Sequence, residues 1–227
     1  MNKQGIIHDI LENRMVAIAR RVPLDRLLRS AEALYAGGIR FLEVTFEPGS
    51  FHDDAAAAHM AETTEAIARL TEQMKGRMHI GAGTVMTEEQ VELARQAGAE
   101  FILAPDLYEP VIRAGNRAGM VTIPGAMTPT EIANAFRWGA DIVKVFPAGV
   151  LGPRYFKDVL GPLGKVPLIA VGGGVLPETI PDFLRAGASG FGVGSALFRR
   201  EWMDDGAWDE MTANAGRFVA AAHSVNG

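Results

Sequence analysis

Short apolar runs alternate with amphipathic stretches along the chain, and eight of these runs have the length and flanking residues of buried β-strands. The runs are Met15 to Ala19, Ile39 to Thr45, Met78 to Gly81, Phe101 to Ala104, Val121 to Ile123, Ile142 to Phe146, Pro167 to Val171 and Gly190 to Val193. Parallel strands that are joined by helices are buried on both faces, and they therefore read as near-continuous apolar runs. Eight such units predict a (β/α)8 TIM barrel, formed as one domain over residues 1–227.

The stretches between the runs carry helix start and stop signals. Thr87 can cap a helix and pair with Gln90, and Thr128 stands in the same relation to Glu131. Four predicted helices end in a small segment whose glycine supplies a left-handed C-cap: Ala36-Gly37-Gly38, Ala97-Gly98-Ala99, Trp138-Gly139-Ala140 and Ala186-Gly187-Ala188. The rival fold, an open doubly wound sheet, lacks support because no GxGxxG motif opens an early β/α unit.

Two helices are predicted outside the simple alternation. A helix from Lys3 to Glu12 precedes the first strand, and we expect it to plug the lower end of the barrel. The last helix is spread over Trp208 to Ser224.

Charge and composition narrow the possible partners. The net charge is -5 and no Lys/Arg cluster occurs, which argues against nucleic acid and anionic membranes and favours a small-molecule substrate. Without cysteine there is no thiolate nucleophile and no Cys-based zinc site. The N-terminal residues lack a signal-peptide core, and no apolar run approaches the roughly 18 residues of a membrane span, so we expect a cytoplasmic protein.

Two charged residues interrupt strands that should be apolar. Glu43 lies late in the second strand, and Lys144 lies in the middle of the sixth. Side chains alternate between the faces of a strand, so if Val143 and Val145 pack under the helices, Lys144 points into the barrel. Burial lowers the pKa of a lysine and makes its neutral, nucleophilic amine accessible, while Glu43 could move protons beside it. The alternatives are a structural ion pair between the two, or a strand shifted by one residue toward solvent.

Glycine-rich turns follow the last two strands, where barrels often bind phosphate. Gly172 to Gly174 follow strand seven, and Gly194 and Ser195 follow strand eight. Backbone N–H groups in such turns can approach an anion, and a short helix starting at Ser195 would direct its positive N-terminus to the same place. Glycine is also the usual residue of a tight β/α turn, so the alternative is purely structural.

Other candidate residues end strands at the same side of the barrel. Arg20 could bind a carboxylate or phosphate with two hydrogen bonds, or be a solvated loop arginine. Thr84 could donate a hydrogen bond to a substrate oxygen or mark the entry to a helix, and Pro105 could border the substrate or only shape its loop, as Pro124 could.

The segment around residue 52 holds possible metal ligands. They are His52, Asp53, Asp54 and His59. The histidines are seven residues apart, not three or four, and the aspartates suit a helix N-terminus, so no metal site is predicted.

The segments LEVT, GAGTV, KVFPA, VGGG and GVGS resemble the 2-keto-3-deoxy-6-phosphogluconate and 4-hydroxy-2-oxoglutarate aldolase family, and the resemblance spans nearly the whole chain. It implies a homotrimeric barrel in which Lys144 is the Schiff-base lysine and Glu43 the acid and base. It also implies that Thr84 and Phe146 lie beside the pyruvyl group, and that Arg20 matches an arginine found in many members.

The same resemblance implies a distal phosphate pocket of Gly172, Gly173, Gly194 and Ser195. FGVGSALF and LGPRYFK are most similar to the branch that acts on the galactonate epimer. Many members follow LEVT with an apolar residue and an arginine that holds the substrate carboxylate, whereas this chain has Phe46 and Glu47, and the connection from Phe46 to Gly76 is longer than usual.

The function predicted from these features is a class I aldolase, an aldehyde-lyase that needs neither metal nor organic cofactor because the iminium takes up the electrons. It would cleave a 2-keto-3-deoxy-6-phospho sugar acid, of gluconate or galactonate type, or 4-hydroxy-2-oxoglutarate, to pyruvate and an aldehyde. The alternatives are a phosphosugar epimerase or keto-acid decarboxylase that uses Glu43 and Lys144 without a covalent intermediate, and a sensor that only binds a sugar acid.

Overall fold

The computed structural model describes residues 2–47 and 54–225. Its strands are β1 Met15–Ala19, β2 Phe41–Thr45, β3 His79–Gly83, β4 Phe101–Leu103, β5 Val121–Ile123, β6 Gly125–Ala126, β7 Val143–Val145, β8 Leu168–Val171 and β9 Gly190–Val193. Its helices are α1 Lys3–Asn13, α2 Leu24–Ala36, α3 Asp54–Gln73, α4 Glu88–Gln96, α5 Glu109–Arg117, α6 Pro129–Arg137, α7 Ala148–Leu163, α8 Ile180–Arg185, α9 Arg200–Asp205 and α10 Trp208–Ala222. Among these helices, none has the length and apolar character needed to span a bilayer.

The strands form one parallel sheet in the order β5-β4-β3-β2-β1-β9-β8-β7-β6. Only Pro124 separates β5 from β6, so these two segments are consecutive parts of one barrel strand, and the two ends of the sheet meet. Proline has no N–H to donate, but the Pro124 carbonyl accepts a hydrogen bond from the Lys144 N–H at 2.9 Å. The predicted (β/α)8 barrel is confirmed, with its fifth strand divided at Pro124.

Two apolar layers follow from the alternation of side chains along the strands. The inner layer contains Val16, Phe41, Phe101 and Ile169, and the outer layer lies between strands and helices. Ile6 and Ile10 of α1 belong to the inner layer and are almost fully buried. The prediction that the N-terminal helix plugs the barrel is therefore confirmed.

The helix signals are confirmed in atomic detail. Both predicted capping boxes form, at Thr87 with Gln90 and at Thr128 with Glu131. The helix-ending segments contain glycines with positive φ: Gly38, Gly98, Gly139 and Gly187. A side chain is strained in that region of φ, which explains the recurrence of glycine before the strands.

Several predicted bounds were wrong by one or two residues. The second strand begins at Phe41 instead of Ile39, because the Ile39 N–H is used at the end of α2, where it donates to the Leu34 carbonyl at 3.0 Å. The third strand extends to Gly83, since Ala82 and Gly83 pair with Val44 and Thr45 although glycine weakens strand patterns.

Candidate active site

Lys144 points into the barrel. Its neighbours Val143 and Val145 belong to the outer apolar layer, whereas Ile142, which shares the face of Lys144, belongs to the inner one. The side chain is buried, with 6% of its surface exposed, and its Nζ lies 4.9 Å from the centre of the Phe146 ring. The alternative of a strand shifted toward solvent is wrong for this strand.

Glu43 points into the same interior, on the face of β2 that carries Phe41. It is 1% exposed, and its Oε2 atom has no hydrogen-bond partner in the part of the chain that the structure describes. The ion pairs within 4.0 Å among the described residues do not include one between Glu43 and Lys144. The alternative of a structural ion pair is therefore wrong, and both groups are available for chemistry.

Burial shifts the protonation of both groups toward their neutral forms. Desolvation raises the pKa of Glu43 to about 7, against the smaller opposing effects of the Lys144 and Arg20 charges. Desolvation lowers the pKa of Lys144, and Arg20 lowers it further, while the charges of Glu43 and Asp106 act in the opposite direction. The site thus holds an accessible neutral amine and a carboxyl that can give or take a proton near neutral pH.

A cavity of about 550 Å³ opens above these groups at the carboxyl ends of the strands. Eight residues to which the sequence assigned a catalytic or substrate-binding role line it: Arg20, Glu43, Lys144, Phe146, Gly172, Gly173, Gly194 and Ser195. Most of these residues are far apart in the chain, and the closed barrel brings them to the same cavity. The cavity combines a buried reactive end with a glycine-rich turn on each of two neighbouring strands.

The glycine-rich wall is shaped by close backbone contacts. Gly172 and Gly174 have φ values of 118° and 87°, which favour glycine. A Cβ built on Gly149 would come within 1.6 Å of the Gly173 carbonyl oxygen, so α7 starts directly against this turn. The predicted short helix at Ser195 is wrong: residues 195–197 form a turn whose Gly194 carbonyl accepts from the Leu197 and Phe198 N–H groups, and α9 starts later.

Comparison with known proteins identifies this arrangement. The family model for the KDPG and KHG aldolases matches residues 6–214. The chain belongs to this family. It is 31% identical to the 2-dehydro-3-deoxy-6-phosphogalactonate aldolase of Escherichia coli K12 over 82% of this chain and 84% of that one, and 31% identical to the KHG/KDPG aldolase of the same organism over 88% and 87%. The KDPG aldolase of Legionella pneumophila, solved with pyruvate as a covalent carbinolamine, is 26% identical with a TM-score of 0.78, over 93% of this chain and 96% of that one.

Membership of the KDPG and KHG aldolase family confirms the class I aldolase predicted from the sequence, and with it the aldehyde-lyase type of enzyme. It does not favour an epimerase or decarboxylase without a covalent intermediate, nor a sensor without catalysis.

Two of the candidate residues of this aldolase do not line the cavity. Thr84 is 8% exposed with a φ of 54°, just before Val85, whose N–H donates to the Leu103 carbonyl. Pro105 is half-buried, and its carbonyl lies so close to Gly125 that a Cβ there would be 2.4 Å away. Contact of Thr84 and Pro105 with the substrate stays a prediction.

Glu47, which departs from the family pattern, is not among the residues that line the cavity of Lys144. It lines a neighbouring cavity of about 520 Å³, and its Oε2 accepts a hydrogen bond from Arg21 Nε at 2.6 Å. Phe46 is fully buried in the outer layer. The pairing with Arg21 and the position in a neighbouring cavity thus reduce the repulsion expected between Glu47 and a substrate carboxylate.

Sequence reasoning missed two charged groups at the mouth. Arg21 lines both cavities, although no role was predicted for it from the sequence. Asp106 follows Pro105 at the end of β4, and the effect of its charge on Lys144 indicates proximity. The position of Asp106 just after a strand was the available signal. Of the metal candidates, His52 and Asp53 lie outside the described residues, as does the Asp54 side chain, and His59 is exposed on α3.

Proposed function

We propose that Lys144 forms the Schiff base with a 2-keto acid and that Glu43 carries the protons of the reaction. The observation that carries this proposal is the position of the Lys144 amine, which is buried and points into the cavity. Glu43 lines the same cavity, and it forms no ion pair with Lys144. An unpaired amine with a lowered pKa is a nucleophile, and a carboxyl with a pKa of about 7 suits both donation and acceptance of protons.

The reaction follows from these two groups. Lys144 Nζ attacks the C2 ketone to give a carbinolamine, and loss of water, with a proton from Glu43, gives an iminium. Glu43, now ionised, takes the proton of the C4 hydroxyl. The C3–C4 bond breaks, its electrons pass to the iminium, and an aldehyde leaves an enamine. Protonation at C3 and hydrolysis release pyruvate and the free amine.

Trapping tests the covalent step. Borohydride reduction in the presence of pyruvate is expected to add the reduced pyruvyl group to one lysine, and peptide mapping should locate it on Lys144. Full activity after such treatment, or a label on another lysine alone, would reject the assignment.

For the substrate, we propose a 2-keto-3-deoxy-6-phospho sugar acid of gluconate or galactonate type, or 4-hydroxy-2-oxoglutarate. The names of the relatives support this class, and so does the turn of Gly172 and Gly173, which lines the cavity beside that of Gly194 and Ser195. Successive backbone N–H groups in such turns can form a binding site for phosphate. A cleavage screen over these acids, with coupled detection of pyruvate, ranks them.

Replacing Ser195 tests the phosphate pocket. Ser195 is exposed and lines the cavity, so Ser195→Asp adds a negative charge without disturbing the core. We expect kcat/KM for the phosphorylated acids to fall by about 100-fold, which corresponds to roughly 2.7 kcal/mol, because like charges repel. Cleavage of unphosphorylated 4-hydroxy-2-oxoglutarate serves as the control and should change less than about threefold. Equal losses of kcat/KM on both substrates would show that the substrate phosphate does not bind at this turn.

Arg20 and Arg21 form a matched pair for testing anion binding. Both line the cavity, but Arg21 is already paired with Glu47, and its side chain is 68% exposed. Arg20→Ala is expected to raise KM by about 10- to 100-fold with little change in kcat, as for a group that binds substrate and transition state equally. Arg21→Ala should raise KM by less than about threefold. The reverse order would assign the substrate anion to Arg21.

A homotrimer is proposed for the assembly. Tyr108, Met127 and Val150 are large apolar side chains exposed beside three successive strands at the mouth, and Tyr155 links two of these segments by donating to the Met127 carbonyl at 2.7 Å. Light scattering should give a mass three times that of the 24.3 kDa chain. Met127→Asp with Val150→Asp should lower that mass, and a native mass of one or two chains would contradict the proposal.

A single domain over residues 1–227 and a cytoplasmic location stay predictions.

A further inference from the structure

Gly83 is packed directly against the carboxyl of Glu43. It pairs with Thr45 at the end of β3, next to the strand that carries Glu43. A Cβ built on Gly83 would lie 2.6 Å from Glu43 Oε1, 2.7 Å from Glu43 Cδ and 3.0 Å from Thr45 Cγ2. The φ of Gly83 is not positive, so its backbone would accept alanine. Glycine stands here because the carboxyl occupies the space of a side chain.

Contact with Gly83, more than hydrogen bonding, defines where the carboxyl stands. Glu43 Oε2 has no hydrogen-bond partner among the described residues, and neither has Thr45 Oγ1 beside it. Both side chains are buried, at 1% and 4% exposure. The carboxyl is therefore held by packing on one side and faces the cavity on the other.

We infer that Gly83 is a positioning residue for the aldolase reaction, which sets the place of the Glu43 carboxyl opposite Lys144. The inference rests on the proposed role of Glu43 in proton transfer. Proton transfer needs heavy atoms at hydrogen-bond distance, and a displacement of about 1 Å can cost on the order of 100-fold in rate. A methyl group at position 83 would push the carboxyl off this wall toward the cavity.

The same strand offers a matched control. Gly81 also lacks a positive φ, and a Cβ there would lie 2.4 Å from the Phe101 ring. Phe101 is fully buried in the inner layer, and its ring cannot move into the cavity as a carboxyl can. Gly81→Ala should therefore lower stability through overpacking, while Gly83→Ala should chiefly displace a catalytic group.

The experiment compares both variants with the native enzyme in thermal unfolding, in cleavage kinetics and in the exchange of pyruvate methyl protons with D2O. Gly83→Ala is expected to lower kcat and the exchange rate by about 10- to 100-fold, with KM and Tm nearly unchanged. Gly81→Ala is expected to lower Tm more than Gly83→Ala does and to keep the native kcat at temperatures where it is folded. Adding Gly83→Ala to Glu43→Gln should cause little further loss, since its effect passes through the carboxyl.

Three outcomes would overturn the inference: native kcat and exchange in Gly83→Ala, losses that multiply in the double variant, or a fall in kcat that Gly81→Ala reproduces. Borohydride with pyruvate keeps this test separate from that of the proposed function. If the native enzyme shows no label on Lys144, the proposed function fails; if Gly83→Ala is labelled yet turns over normally, only the positioning role fails.

Discussion

Lys144→Met is expected to abolish cleavage, with kcat/KM reduced by about 10⁴-fold or more, because among the described residues Lys144 is the one lysine that lines the cavity and could form the iminium. Methionine fills a similar volume without the amine, so the barrel should stay folded. Coupled detection of pyruvate measures the rate, and borohydride with pyruvate should leave the variant unlabelled. The Tm of the variant is measured alongside, because it distinguishes loss of the amine from loss of the fold.

Lys144→Met should raise the stability of the folded protein although it abolishes activity. Burial lowers the pKa of Lys144 below that of the unfolded chain, so the folded protein carries a penalty that disappears only as pH rises toward the unfolded value of 10.5. Lys144→Met removes the penalty, and we expect a higher Tm at pH 7.

Lys144→Arg distinguishes covalent from purely electrostatic catalysis. Arginine keeps a positive charge at this position but cannot form an imine with the ketone. The variant should be as inactive as Lys144→Met. Substantial activity in Lys144→Arg would contradict the Schiff-base role.

Glu43→Gln is the second large effect, with kcat expected to fall by about 10²- to 10⁴-fold, the usual contribution of a positioned acid or base. Glutamine keeps the shape of the carboxyl but neither gives nor takes the proton. The kcat/KM profile of the native enzyme should fall as pH rises through a pKa of about 7, because the carboxyl must hold the proton that it gives up when the carbinolamine loses water, and this limb should vanish in the variant. A limb near pH 7 that survives in Glu43→Gln would assign it to another group.

Stability offers an independent check on the same carboxyl. Its folded pKa lies above its ordinary value, so the folded state binds the extra proton, and this contribution is present below pH 4.5 and lost as pH rises through about 7. Above pH 7 the native enzyme therefore holds a buried charge that Glu43→Gln lacks. Denaturant unfolding should show the variant gaining stability relative to the native enzyme as pH increases from 5 to 8.

The sequence by itself determined the barrel and indicated the two groups that are proposed to react. Parallel strands buried on both faces must be apolar, so Lys144 and Glu43 stood out as exceptions, and the two-residue period of a strand gave their direction. Local signals sufficed for the caps at Thr87 and Thr128, because a cap depends on residues three positions apart.

Only the tertiary structure decided the contacts between residues that are distant in the chain. The pairing of Glu47 with Arg21 joins residues 26 positions apart, and no local pattern encodes it. No local pattern marks Gly83, and only the register of β2 against β3 brings it to the Glu43 carboxyl. Side-chain type and spacing fix what a residue can do, whereas the packing of one strand on the next fixes what it touches, and shifts in pKa arise from that packing.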